Sequence, residues 1–124
     1  MNPWQFDVIV TTNLFGDILS DQMAGLVGGL GMAPGANIGE TTAIFEAVHG
    51  SAPGIAGEGI ANPLALLLAA CLMLDHVGHA GRVDRIRQSI EKVFRGEDSV
   101  RTPDLGGKAS TLEFSQAITN RVAA

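Results

Sequence analysis

The 124 residues contain one cysteine, Cys71. It has no partner for an internal disulfide, and a cysteine-held zinc site or iron–sulfur cluster would lack its ligands. No apolar run reaches the roughly 18 residues that a membrane-spanning helix needs. The longest, Pro63 to Leu74, reads as a buried helix, which gives Cys71 a packing role. Basic residues are scarce, 8 against 13 acids, for a net charge of -5. That balance argues against a nucleic-acid surface. The opening MNPWQFDV has no basic stretch ahead of an apolar targeting segment. No GxSxG serine elbow is present, no phosphate loop closing on Gly-Lys-Ser/Thr, and no GxGxxG between strand and helix. The expectation is a protein with no nucleic-acid or membrane partner, cytoplasmic, or in the mitochondrial matrix if its parent is eukaryotic.

Hydrophobic content of 46 % and charged content of 17 % predict a folded core. The chain is organised around Phe6 to Gly31. Val8, Ile9, Val10, Thr11 and Thr12 are β-branched or apolar in a continuous run, which predicts a strand buried on both faces. Asn13 is a helix cap for a helix from about Leu14 to Gly28, with Ile18, Leu19, Met23, Leu26 and Val27 as its apolar stripe. Glycines crowd Gly28 to Gly39 and His49 to Asn62, so both read as loops, separated by a short strand from Ala43 to Val48. Asn62-Pro63 starts a helix running to Val77, and an amphipathic helix follows from Arg82 to Phe94. A polar connection, Gly96 to Gly107, leads to a last helix opened by a Ser110–Glu113 capping box. The fold class is α/β: strand, helix, loop, strand, loop, then three helices. Two strands are too few for an independent doubly wound sheet, so residues 1–124 are expected to be part of a larger domain.

Asp17 and Asp21 lie four apart and share a helix face. Their neighbours are small residues, so a divalent cation is the economical neutraliser. Oxygen ligands suit Mg2+ or Mn2+ rather than zinc. A solvated acidic face near a helix start is the other reading. The loop His49-Gly50-Ser51-Ala52-Pro53 offers backbone donors, small side chains and one imidazole, which suits an adenine, ribose or phosphate held by main-chain contacts. Glycines that merely satisfy turn angles, with His49 as a loop-stabilising hydrogen bonder, are the competing account.

Taken together, NLFGDILSD, GGLGMAPGANIG, FEAVHGSAP with the following GIANP, and RTPDLGGKAST resemble the C-terminal half of a β-decarboxylating dehydrogenase of the isocitrate/isopropylmalate type. The motifs follow the family's order over nearly the whole chain, and the likeness is greatest to the NAD-dependent isocitrate enzymes. The resemblance implies oxidative decarboxylation of a small-molecule 2-hydroxy acid, isocitrate to 2-oxoglutarate, with NAD and Mg2+ or Mn2+. It implies Asp17 and Asp21 as metal ligands. It implies His49, Gly50, Ser51, Ala52, Pro53, Ile55, Asn62 and Asp104 as the cofactor-binding set. It also implies a homo- or hetero-oligomer, at least a dimer. The family's catalytic acid and base and its substrate arginines precede the matched segment. No catalytic residue is therefore assigned in this chain, and an N-terminal companion fragment, or a longer parent, is expected to supply them.

Gly54 stands where NAD-using members carry an aspartate that accepts from the adenosine ribose. Ile55, and Glu58 where lysine is common, still favour NAD over NADP. Two alternatives accompany the isocitrate reading. One is a dehydrogenase of 3-isopropylmalate or a related 3-substituted malate. The other is a non-catalytic interaction or regulatory subunit derived from such an enzyme.

Overall fold

The computed structural model describes residues 2–96 and 100–124. Glu97, Asp98 and Ser99 of the expected Gly96–Gly107 connection lie outside the described residues. The regular elements are α1 (Asn13–Leu26), β1 (Pro34–Ile38), β2 (Ala43–Ala47), α2 (Leu64–His76), α3 (Ala80–Arg95) and α4 (Thr111–Ala123). Short 3-10 turns interleave them at Leu30–Met32, Pro53–Ile55 and Pro103–Leu105.

The α/β class and the order of helices agree with the sequence reading, and the strands require two corrections. The run Val8–Thr12 is exposed and forms no strand. β-branching favours extended backbone, but a strand exists only when its amides and carbonyls pair, and no described strand pairs with this segment. The second correction lies in the glycine-rich stretch Gly28–Gly39, where β1 forms inside the expected loop. It pairs antiparallel with β2 in a register running from Pro34 opposite Ala47 to Ile38 opposite Ala43. The Gly39 amide closes the hairpin on the Thr42 carbonyl at 2.9 Å. Asn37 Nδ2 donates across the ribbon to Glu46 Oε1 at 3.0 Å. Cross-strand pairing thus overrides a local composition that favours turns.

α2 lies at the centre. It packs against the hairpin on one side and α3 on the other, and α3 packs on α4. This is why its sequence is apolar nearly all round. Leu64, Ile90, Val93, Phe114 and Ile118 make the buried cluster, joined at its edge by Met32, Leu67, Ile86 and Phe94. The Phe94 and Phe114 rings meet at 5.8 Å in a tilted arrangement. Cys71 is fully buried in α2, and that burial raises the pKa of its thiol, against a weaker opposite pull from Arg87. The capping box of α4 is formed: Glu113 N donates to Ser110 Oγ at 3.2 Å, and Ser110 N donates to Glu113 Oε2 at 2.8 Å.

α1 departs from expectation. Asn13 is its first helical residue rather than its cap; Thr12 holds the cap position and makes no side-chain bond there. Ile18, Leu19, Met23 and Leu26 are exposed, and Ala24 is the buried residue of this helix. The helix rests on the body through the Leu30–Met32 turn, so no described element covers its apolar stripe. Among the described residues, no helix is long and apolar enough to cross a membrane.

Candidate functional site

The hairpin, the start of α2 and the turn before α4 enclose a cleft of about 750 Å³. His49, Gly50, Ser51, Ala52, Ile55, Asn62 and Asp104 all line it. Seven of the eight residues expected to bind a cofactor therefore converge from two separate stretches of chain. The eighth, Pro53, opens the Pro53–Ile55 turn instead, and its fixed φ supports the loop backbone. Among the further lining residues that escaped the sequence reading are Gly28, Gly29 and Gly31 of the segment after α1. Their glycine content was legible, but their place on the cleft depends on how α1 and the hairpin sit against α2.

Local interactions hold the cleft open from several directions. Val48 N donates to Ala33 O at 3.2 Å, fixing the loop where it leaves β2. At its far end, Thr111 N donates to Gly59 O at 2.7 Å, and Thr111 Oγ1 donates to Ala61 O. The N-terminus of α4 thus anchors the glycine loop. Between these anchors Ala52 adopts φ 43 and ψ 56, a left-handed conformation unusual for a residue with a Cβ. Ile55 N closes the following turn on Ala52 O at 3.1 Å. Strain of this kind concentrates at binding loops, where the surrounding structure holds it in place.

His49 Nδ1 lies 2.9 Å from Gly50 O. A carbonyl only accepts, so Nδ1 carries the hydrogen, and Nε2 of the neutral ring is left as an acceptor. Asn62 Oδ1 accepts from Leu64 N at 3.0 Å and so satisfies the first amide of α2, the cap position itself falling on Pro63. Its Nδ2 donates to Asp104 Oδ2 at 2.9 Å. Asp104 sits on a turn in which Thr102 O accepts from Leu105 N and from Gly107 N, both at 3.0 Å. The cleft therefore presents apolar surface from Ile55, Ile60 and Leu66 beside backbone amides, one imidazole and one carboxylate. That mixture suits a flat heterocycle and a polyhydroxylated ring.

Asp17 and Asp21 are both on α1, exposed, and outside the lining of the cleft. They give the hard oxygen donors a magnesium-like ion requires, two of the roughly six such an ion takes. Among the described residues no third His, Cys, Asp or Glu joins them in a metal-sized cluster. A second, shallower hollow of about 580 Å³ on α4 is lined by Arg101, Lys108, Glu113 and Gln116 among others and contains none of the expected site residues.

The family profile described as isocitrate/isopropylmalate dehydrogenase matches residues 1–120. The 3-isopropylmalate dehydrogenase of Archaeoglobus fulgidus is 55 % identical over 120 residues, covering 97 % of this chain and 36 % of that protein. The isocitrate/homoisocitrate dehydrogenase of Thermus thermophilus is 59 % identical over 118 residues, covering 95 % of this chain and 35 % of that protein. Among solved structures, isocitrate dehydrogenase from Methylococcus capsulatus superposes with a TM-score of 0.90 at 51 % identity, covering 100 % of this chain and 37 % of that one. The chain thus spans about a third of the length of the relatives it matches. With the profile covering nearly every residue and the fold shared at this identity, the chain belongs to the isocitrate/isopropylmalate dehydrogenase family.

Proposed function

We propose that residues 1–124 act as the C-terminal, cofactor-holding part of an NAD-dependent enzyme that oxidises and decarboxylates a 3-substituted 2-hydroxy acid, isocitrate first among them. The observation that carries this reading is the convergence of His49, Gly50, Ser51, Ala52, Ile55, Asn62 and Asp104 on one cleft of about 750 Å³. Apolar walls at Ile55 and Leu66 would sandwich the adenine, and the glycine loop brings main-chain donors near enough for phosphate. The Asp104 carboxylate and His49 Nε2 would accept from hydroxyl or amino groups. NAD bound there would supply the hydride acceptor.

Asp17 and Asp21 would hold Mg2+ or Mn2+, with the remaining ligands coming from substrate, water and residues beyond this segment. Such an ion would stabilise the negative charge that develops on the substrate oxygen as its hydroxyl proton, and then carbon dioxide, are lost. No acid or base is assigned to this chain. The exposed stripe of Ile18, Leu19 and Met23 on α1 supports association with a second copy or a complementary segment, as an exposed apolar patch of this kind does.

The Archaeoglobus relative favours a second substrate, 3-isopropylmalate, at an identity close to that of the Thermus protein. The test is NADH formation by the chain alone, and by the chain with its upstream coding region, with isocitrate and then isopropylmalate in Mn2+. Turnover only with the upstream product is the expected result. Stable complex formation without turnover on either acid would overturn the enzymatic reading in favour of an interaction subunit.

A further inference from the structure

Asn62 occupies a junction between three segments that border the cleft. Its Oδ1 accepts the Leu64 amide at 3.0 Å, its Nδ2 donates to Asp104 Oδ2 at 2.9 Å, and the same nitrogen lies 3.7 Å from Met32 Sδ. These partners belong to α2, to the Pro103–Leu105 turn and to the Leu30–Met32 turn, and Asn62 and Asp104 are 42 residues apart. The orientation of the amide follows from chemistry. A flipped side chain would set its NH2 against the Leu64 N–H and its oxygen against the Asp104 carboxylate, opposing like groups at both ends. Asn62 thus spends one acceptor on α2 and one donor on Asp104, with a longer contact from the same nitrogen to Met32 Sδ.

We infer that Asn62 is a positioning residue: its amide holds the Asp104 carboxylate at the cleft wall, coupling the turn before α4 to the cofactor loop, rather than reading the nucleotide itself. The inference rests on the cofactor reading of the cleft for its functional consequence and on the hydrogen bonds alone for its structural part. Asp104 Oδ2 is engaged by Asn62, so Oδ1 remains the acceptor available to a ligand. The pair sits where both residues line the cleft, so its geometry sets where that acceptor stands. Because Asn and Asp accept from amides at a helix start about equally well, the bond to α2 and the strut role can be separated by substitution.

The experiment uses the 124-residue chain and three variants: Asn62→Asp, Asp104→Asn, and the two together. Asn62→Asp keeps the acceptor for the Leu64 amide but sets a carboxylate against the Asp104 carboxylate. Asp104→Asn retains an amide oxygen that still accepts from Asn62. The double variant restores a donor–acceptor pair with the direction reversed. Two readouts are followed by amide NMR: the resonances of Leu105, Gly106 and Gly107, and the affinity for added NAD. We expect Asn62→Asp to shift the turn resonances and to weaken NAD about five- to tenfold, the size of one net hydrogen bond. Adding Asp104→Asn should bring the turn resonances back and leave NAD affinity equal to that of Asp104→Asn alone. Unchanged turn resonances in Asn62→Asp would overturn the inference and leave Asn62 only an acceptor for the first amide of α2. Additive losses in the double variant would overturn it too, by making the two residues independent contacts. Absence of NAD binding by the unsubstituted chain would overturn the cofactor reading, while the turn resonances would still decide the strut.

Discussion

Gly107 is the position where the structure leaves least room. A Cβ added there would overlap the carbonyl oxygen and carbon of Arg101. That backbone cannot move aside freely, because Arg101 O accepts from Ala109 N at 2.8 Å, and the neighbouring Thr102 O accepts from Gly107 N at 3.0 Å. Gly107→Ala must therefore break or stretch two backbone bonds, each worth about 1 kcal/mol net, on top of packing strain of roughly 1–3 kcal/mol. A loss of about 3–5 kcal/mol follows from those contributions. The adjacent Gly106 gives an internal control. Its φ is +76, but nothing lies within 4 Å of an added Cβ, so Gly106→Ala carries only the left-handed penalty of about 1 kcal/mol. Thermal and urea unfolding of the two variants in the full chain should rank Gly107→Ala well below Gly106→Ala, by on the order of 5–10 °C in Tm. The turn these glycines build carries Asp104, so Gly107→Ala should also weaken NAD binding, whereas Gly106→Ala should do so less. Equal destabilisation by the two substitutions would refute the steric argument and leave backbone conformation as the sole cause.

Other predictions rest on separate parts of the molecule. Asp17→Asn and Asp21→Asn in the complete enzyme should each raise the Mn2+ concentration needed for half activity by roughly tenfold or more; Mn2+ binding followed by magnetic resonance gives a readout apart from turnover, and unchanged affinity would return these residues to a solvated helix face. Gly54 has open space around an added Cβ and no positive φ; Gly54→Asp should tighten NAD about fivefold through a charge-assisted bond to a ribose hydroxyl, and equal titration curves would contradict the ribose argument. The pKa of Glu113 is lowered by the backbone N–H of Ser110 and then by its hydroxyl. The depressed value means that its contribution to α4 is present above the ordinary glutamate range and fades as pH falls through the folded value. Melting curves between neutral and acid pH should therefore flatten in Glu113→Gln, and an unchanged pH slope would count against this account of the capping box.

Much of the molecule was legible from local patterns. The all-round apolar run of α2, the stripe Val83–Ile86–Ile90–Val93 of α3 and the Ser110–Glu113 box each act within a few residues, and each appears in the structure close to its expected place. Residue chemistry likewise marked the loop His49–Ala52, and the family resemblance marked Asn62 and Asp104. Strand pairing and the covering of faces were decided elsewhere. Val8–Thr12 has the composition of a strand and no described partner, whereas Pro34–Ile38 has the composition of a loop and a partner in β2. The stripe of α1 has helical periodicity but nothing described packs upon it. Nor could spacing reveal that Asn62 would meet Asp104 across 42 residues, or that Gly28, Gly29 and Gly31 would line the same cleft. Helix periodicity and capping are written in neighbouring side chains; hydrogen-bond pairing between strands and closure of a cleft depend on which distant segments the packed core brings together.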